Sequence, residues 1–199
     1  MTAPRIEPEW AMATIAFVDI RGFTTFADGC TAYEALAYLT EFYELAVPVL
    51  SKHGGQETKL LGDGLMTVFG APVSDHDHAT HALDAAVDLI GAIHAEIGDR
   101  CKIGVGLNSG LVLVGTIGAH HVLEVGVVGD PVNVASRVQD ATRDLSEPVL
   151  VTESTRLLLD ESAPGLVSRG TISAKGKAAP VAVYGLTDEF RNGFRTLTS

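Results

Sequence analysis

Short apolar runs alternate with longer amphipathic stretches along the 199 residues of the chain. The run "ATIAFVDIRG" (13–22) is continuous, apolar and closed by glycine, the pattern of a buried strand, yet it carries a carboxylate, Asp19, near its end. From Thr31 to about His53, Leu36, Leu39, Tyr43 and Val47 recur every three or four residues and predict a helix. Thr31 with Glu34 suits a capping box, Gly54-Gly55 suits a stop, and Pro48 predicts a kink or a shortened helix. "GQETKLLGDGLMTVFGAP" predicts two strands joined at Gly62-Asp63-Gly64, which puts a second acid in a tight turn.

A second helix is predicted from about Asp75 to Glu96, with Asp75 or Asp77 as its cap. "CKIGVGLNSGLVLVGTIG" reads as two strands around Asn108-Ser109-Gly110. "VLEVGVVGDPVNVASRVQDAT" reads as a strand, a turn and a helix, with Asp130 as N-cap and Pro131 in the first turn. "PVLVTES" then gives a strand, followed by a brief helix near Thr155–Leu159 and two strands around "LVSRGTISAKGKAAPVAVYGL". There is no repeat and no linker. The expected architecture is one α+β or α/β domain, with helices covering a largely antiparallel sheet.

Composition narrows the function classes. Apolar residues make up 46% of the chain and charged residues 20%, which suits a globular domain. No apolar run approaches the roughly 20 residues that span a bilayer. The N-terminus lacks the basic-then-apolar pattern of a signal peptide, so a cytoplasmic protein without membrane contact is expected. Cys30 and Cys101 are too few for a disulfide framework or a thiolate metal site. A net charge of −11 argues against nucleic acid as a partner, though not against an anionic nucleotide neutralised by metal ions and local cations.

Asp19 and Asp63 are open to two readings from spacing alone. Each can be an ordinary turn residue, or the two can converge on divalent cations that also take phosphate oxygens. Asn133 and Arg137 in "NVASR" lie four residues apart on one helix face, either as a solvated polar pair or as donors for a phosphoryl group gathering charge.

"FVDIRGFT", "KLLGDGLMTVFG", "GVGLNSGLVLVGTIG", "VVGDPVNVASR" and "ISAKGKAAPVAVYGL" together resemble the signature of class III nucleotidyl cyclases of the bacterial homodimeric type, in family order. The resemblance spans 13–187 as one catalytic domain, with 1–12 and 188–199 as tails. It implies a ferredoxin-like βαββαβ core with an antiparallel-rich sheet flanked by helices. It also implies an adenylate cyclase that converts ATP to 3′,5′-cyclic AMP and pyrophosphate with two divalent cations, Mg²⁺ or Mn²⁺. Asp19, Asp63 and the carbonyl of Ile20 match the metal ligands. Gly22, Phe23 and Thr24 match the turn whose backbone N–H groups cradle phosphates, and Lys175 matches a lysine on the outer phosphates. Asn133 and Arg137 match the residues that act on the transition state. The family works as a dimer with shared sites. The acids of one chain would therefore face Lys59, Asn133 and Arg137 of a second copy, with "GTIGAHHVLEVGVVG" as the arm between them.

In the resemblance, Lys59 and Gly126 occupy the two base-reading positions. A lysine suits the N1 acceptor of adenine. Gly126 stands where adenylate cyclases generally carry a hydrogen-bonding residue and guanylate cyclases a small one. A guanylate or dual-purine cyclase is the alternative reading, and a degenerate nucleotide-binding regulatory domain a further one. "DHDHATHA" (75–82) is read as a helix cap rather than a metal cluster, and His120-His121 as exposed. "GVGLNSG" lacks the Gly-Lys-Thr ending of a phosphate-binding loop.

Overall fold

A computed structural model describes residues 7–119, 122–160, 163, 165–173 and 180–188. Strand β1 (Glu9–Ile20) leads through a short helix α1 (Phe23–Asp28) into α2 (Ala32–Lys52), the hairpin β2 (Gln56–Leu60) and β3 (Gly64–Phe69), then α3 (His78–Glu96) and β4 (Ile103–Ala119). Four of these strands lie in the order β2-β3-β1-β4, every pairing antiparallel, which is the expected ferredoxin-like core. Strand β5 (Val122–Val128) pairs with the outer half of β4. Helix α4 (Asp130–Asp144), β6 (Val149–Thr152), α5 (Glu153–Arg156), β7 (Leu166–Ile172) and β8 (Val181–Leu186) follow, and β6 joins β4 in parallel.

Alternation along β1 divides the core. Ala16, Val18 and Ile20 face one side, packed with Phe42, Ala46 and Leu50 of α2 and Leu83, Leu89 and Ile93 of α3. Ala13 and Ile15 face the other, with Met66, Val112, Val114 and Ala135 of α4. Helices therefore cover both faces of the sheet.

Several elements depart from the sequence pattern. β1 begins at Glu9, because Trp10 and Met12 pair with Leu113 and Leu111 within the stretch read as a tail. The capping box of Thr31 and Glu34 forms, but α2 runs through Pro48 to Lys52. Its buried stripe is Phe42, Ala46 and Leu50, whereas Leu36 is exposed. Asp77 precedes α3 without capping it, since the Asp75 carboxylate accepts the Asp77 N–H and pairs with His81. His78 is buried against the Thr14 hydroxyl at 2.7 Å, so this acidic, histidine-rich segment is knit into the fold. Gly129, not Asp130, precedes the first turn of α4. The brief helix near Thr155 starts at Glu153, capped by Thr152.

The largest departure is at Asn108-Ser109-Gly110, where β4 passes straight through without turning. Gly110, and Gly106 just before the stretch, serve helix packing. A Cβ on Gly106 would lie 2.2 Å from the Gln139 backbone nitrogen, and one on Gly110 would lie 2.6 Å from the Pro131 ring. Bare backbone lets α4 settle directly onto β4. Gly106→Ala should therefore cost about 1–3 kcal/mol by pushing α4 outward. A lowered urea midpoint will show this, and an unchanged midpoint would mean that α4 is not so closely seated.

Candidate active site

The acids meet because β1 and β3 are neighbours. Asp19 pairs with Gly64 across the ladder, and the Ile20 N–H donates to the Asp63 carbonyl at 3.1 Å. The strand-end acid and the turn acid thus occupy adjacent positions at one end of two neighbouring strands. Gly62 takes a φ of 79°, a left-handed conformation open to glycine at little cost, and turns the hairpin tightly enough for this.

Two neighbours fix the pair. The Tyr43 hydroxyl, from α2, lies 2.5 Å from the Gly62 carbonyl and 3.0 Å from the Gly64 carbonyl, bracketing Asp63. Arg21 directly follows β1, and its guanidinium bonds go to backbone carbonyls. Its guanidinium donates to the carbonyls of Ile103 (3.2 Å), Thr142 (3.0 Å) and Glu147, tying the end of β1 to β4 and to the C-terminus of α4. Burial lowers the Arg21 pKa, with Arg143 nearby adding to this. Gly22 turns the chain into α1 with a φ of 74°, and Phe23 and Thr24 open that helix. The Phe23 ring stacks on Tyr38, 6.3 Å between centroids, which sets the loop against α2.

Electrostatically, the pair is strained toward a cation. Burial raises the Asp19 carboxyl to about 6; Asp63 and Asp140 push the same way, and Arg143 opposes them. Arg143 sits on the last turn of α4 with its guanidinium 3.8 Å from Asp19. Desolvated, mutually repelling carboxylates are relieved by a divalent cation, and hard cations take such oxygens. Among the described residues no group of three or more His, Cys, Asp or Glu side chains converges on one point. A cation here would complete its shell with the Ile20 carbonyl, water and phosphate oxygens. The residues fit that group.

Other predicted site residues lie elsewhere. Asn133 and Arg137 are on the N-terminal half of α4. At about 1.5 Å per residue they stand roughly 15 and 9 Å along the helix axis from Arg143, the residue that reaches Asp19. Asn108 anchors that end of the helix, its side chain donating to the Pro131 carbonyl at 2.9 Å while Thr152 and Ser154 hold its oxygen. Lys59 lies on β2 with its ammonium 2.9 Å from the Glu124 carboxylate on β5, and Gly126 is opposite Gly115 on the same ribbon. Lys175 and His120-His121 lie outside the described residues.

Sequence reasoning missed Tyr43, Arg21, Arg143, Asn108 and Glu124. Tyr43 had a signal as part of an apolar stripe, but a stripe does not show where a hydroxyl ends. The others depend on contacts between residues distant in sequence.

This geometry, a ferredoxin-like core with paired acids at a strand end beside the last turn of helix α4, is that of an α+β domain with a concentrated negative charge at one end of its sheet. The adenylate and guanylate cyclase catalytic domain family matches residues 7–188, and the chain belongs to that family. It is 30% identical over 178 residues to adenylate cyclase 1 of Rhizobium meliloti (strain 1021), covering 86% of this chain and 27% of that protein. The chain thus spans about a quarter of that relative's length. The crystal structure of the adenylyl cyclase CyaB from P. aeruginosa superimposes with a TM-score of 0.82 at 26% identity, covering 92% of this chain and 97% of that one. The guanylyl cyclase Cya2 superimposes with a TM-score of 0.79, also at 26% identity, over 91% and 94%.

The raised Asp19 pKa carries a sign. The folded state holds the Asp19 proton more tightly than the unfolded chain, so ionising Asp19 costs stability as pH rises from about 4 through about 6, the value it reaches in the fold. Without divalent metal, Asp19→Asn should raise the melting temperature at pH 8 by roughly 5 °C and leave it nearly unchanged at pH 4. Equal shifts at both pH values would contradict this. Tyr43→Phe should cost about 1 kcal/mol and weaken Mn²⁺ binding several-fold in a paramagnetic titration, because the Asp63 turn loses its clamp.

Proposed function

We propose that two copies of this chain form a homodimer that converts ATP to 3′,5′-cyclic AMP and pyrophosphate at shared sites. The observation that carries this reading is the meeting of Asp19 and Asp63 at one end of neighbouring strands, with Asn133 and Arg137 held further along α4 of the same chain. One chain offers the acids in one place and the helix donors in another. A second copy brings the two sets together, and a two-fold axis then yields two equivalent sites.

Asp19, Asp63 and the Ile20 carbonyl would hold the divalent cations, which supply Lewis-acid chemistry that favours ionisation of the ribose 3′-hydroxyl and neutralises the triphosphate. The backbone of Gly22, Phe23 and Thr24 faces the phosphates at the start of α1. Asn133 orients the ribose so that its 3′ oxygen lines up with the α-phosphorus. As that O–P bond forms, the bond to the β-phosphate oxygen breaks and pyrophosphate leaves. Arg137 stabilises the negative charge that builds on the α-phosphate oxygens. The 3′ proton passes to solvent, since no side chain stands out as its acceptor. Lys59 donates to N1 of adenine, an acceptor that guanine lacks. Lys175, in the segment outside the described residues, is assigned to the outer phosphates by resemblance alone.

The relatives include both adenylate and guanylate cyclases. Gly126, with no side chain to read the base, favours a second reading as a guanylate or dual-purine cyclase. No helix among the described residues is long and apolar enough to cross a membrane. A cytoplasmic site of action, where ATP is available, is part of the proposal.

The test is product formation by the purified chain with Mn²⁺ and either ATP or GTP, over a range of protein concentrations. Cyclic AMP at a specific activity that rises with concentration is expected. Turnover of GTP at or above that of ATP would reverse the substrate assignment. No cyclic product from either nucleotide, with the fold intact, would leave a nucleotide-binding module. Asp63→Ala should lower turnover at least a hundredfold while leaving the dimer, measured by sedimentation, in place.

A further inference from the structure

The β4–β5 ribbon places an acceptor beside Lys59. Glu124 lies opposite Ile117, and Gly126 lies opposite Gly115. Glu124 and Gly126 are two residues apart on one strand, and directly opposed residues share a face, so all four positions lie on the same face of the ribbon. The Lys59 ammonium reaches that face and stands 2.9 Å from a Glu124 oxygen.

Nor is the gap at Gly126 open. A Cβ built there would come within 2.0 Å of Ile117 Cδ1 and 2.4 Å of its Cγ1. Ile117 therefore fills the place where a side chain at 126 would stand, and it remains 47% exposed. The face thus presents an apolar surface with a cationic donor and an anionic acceptor side by side at its edge.

That arrangement is the complement of adenine. The base has a flat apolar face, and along one edge it carries N1, which accepts, beside the 6-amino group, which donates. With Lys59 against N1, the neighbouring Glu124 oxygen falls to the amino group. Guanine reverses this order, with an N–H at N1 and an oxygen at position 6. It would set a donor against the lysine and an acceptor against the carboxylate.

We propose that Glu124 is a specificity-determining residue that accepts a hydrogen bond from the adenine 6-amino group, with Ile117 under the base. The inference rests on the ATP reading and supplies the polar partner that Gly126 cannot. Glu124 is 62% exposed in its side chain, so its replacement leaves the core untouched.

The experiment is a substrate-by-variant cycle with the full chain and Mn²⁺. ATP is compared with purine riboside triphosphate, which lacks only the 6-amino group, in the unsubstituted chain, Glu124→Ala and Glu124→Gln. A hydrogen bond to a charged acceptor predicts that the unsubstituted chain favours ATP by about tenfold or more in kcat/KM. Glu124→Ala should treat the two substrates within about twofold, by losing ATP turnover and not that of the analogue, and Glu124→Gln should fall between. Equal loss on both substrates in Glu124→Ala would overturn the inference and reduce Glu124 to a neutralising partner of Lys59. An undiminished preference for ATP in that variant would overturn it as well. Cyclic AMP production by the unsubstituted chain separates these failures from failure of the ATP reading itself, which a chain that prefers GTP or yields no cyclic product would show.

Discussion

Holding two carboxylates side by side at the end of a buried strand is the constraint on which the rest of the molecule depends. The β1–β3 pairing brings Asp19 and Asp63 together, and burial with mutual repulsion lifts Asp19 to about 6. Such a pair would relax apart unless its backbone were fixed on several sides. The Ile20–Asp63 bond, the Tyr43 hydroxyl on both flanking carbonyls, and the three carbonyl contacts of Arg21 fix it. The stability given up here is that of a site built to receive positive charge. Arg143 supplies part of that charge from α4, and divalent cations would supply the rest.

A second constraint concerns α4. Glycines along β4 let this helix lie against bare backbone, so its first turn is seated on the sheet and held by Asn108. The position of Asn133 and Arg137 thus depends on residues that never meet a substrate. The same seating leaves those two residues some way along the helix from the acids of their own chain. The homodimer proposal follows from this separation as much as from resemblance. Among the described residues the outer part of β4 beyond Val114 pairs only with β5 as a two-stranded ribbon, and such ribbons are marginal unless packed against another surface.

Much of this was legible in the sequence. The carboxylates at the strand end and in the hairpin, the capping box of α2 and the succession of strands and helices can all be read from local pattern and turn chemistry. What escaped depends on tertiary contact. Asn108-Ser109-Gly110 has the composition of a turn, yet Gly110, like Gly106 before it, is there for a helix that crosses above them. Leu36 fits the helical period but faces solvent, because α2 meets the sheet on the Phe42–Ala46–Leu50 stripe. Pro48 lies inside α2, which continues to Lys52 although the ring removes the one bond its N–H would make to the Glu44 carbonyl. Glu124 and Lys59 are 65 residues apart, and nothing local joins them.

The central claim, that each site takes its acids from one chain and its helix donors from another, is tested most directly by mixing two inactive variants. Asp63→Ala lacks an acid, and Arg137→Ala lacks the charge-stabilising donor. In a mixed dimer both lesions fall in one of the two sites, and the other is left with all its residues intact. Each variant alone should be nearly inactive, and an equimolar mixture should recover about a quarter of the unsubstituted activity, the statistical share when half the dimers are mixed and each has one of two sites intact. A mixture as inactive as its parts, with mixed dimers demonstrated, would contradict the account and return the whole site to a single chain.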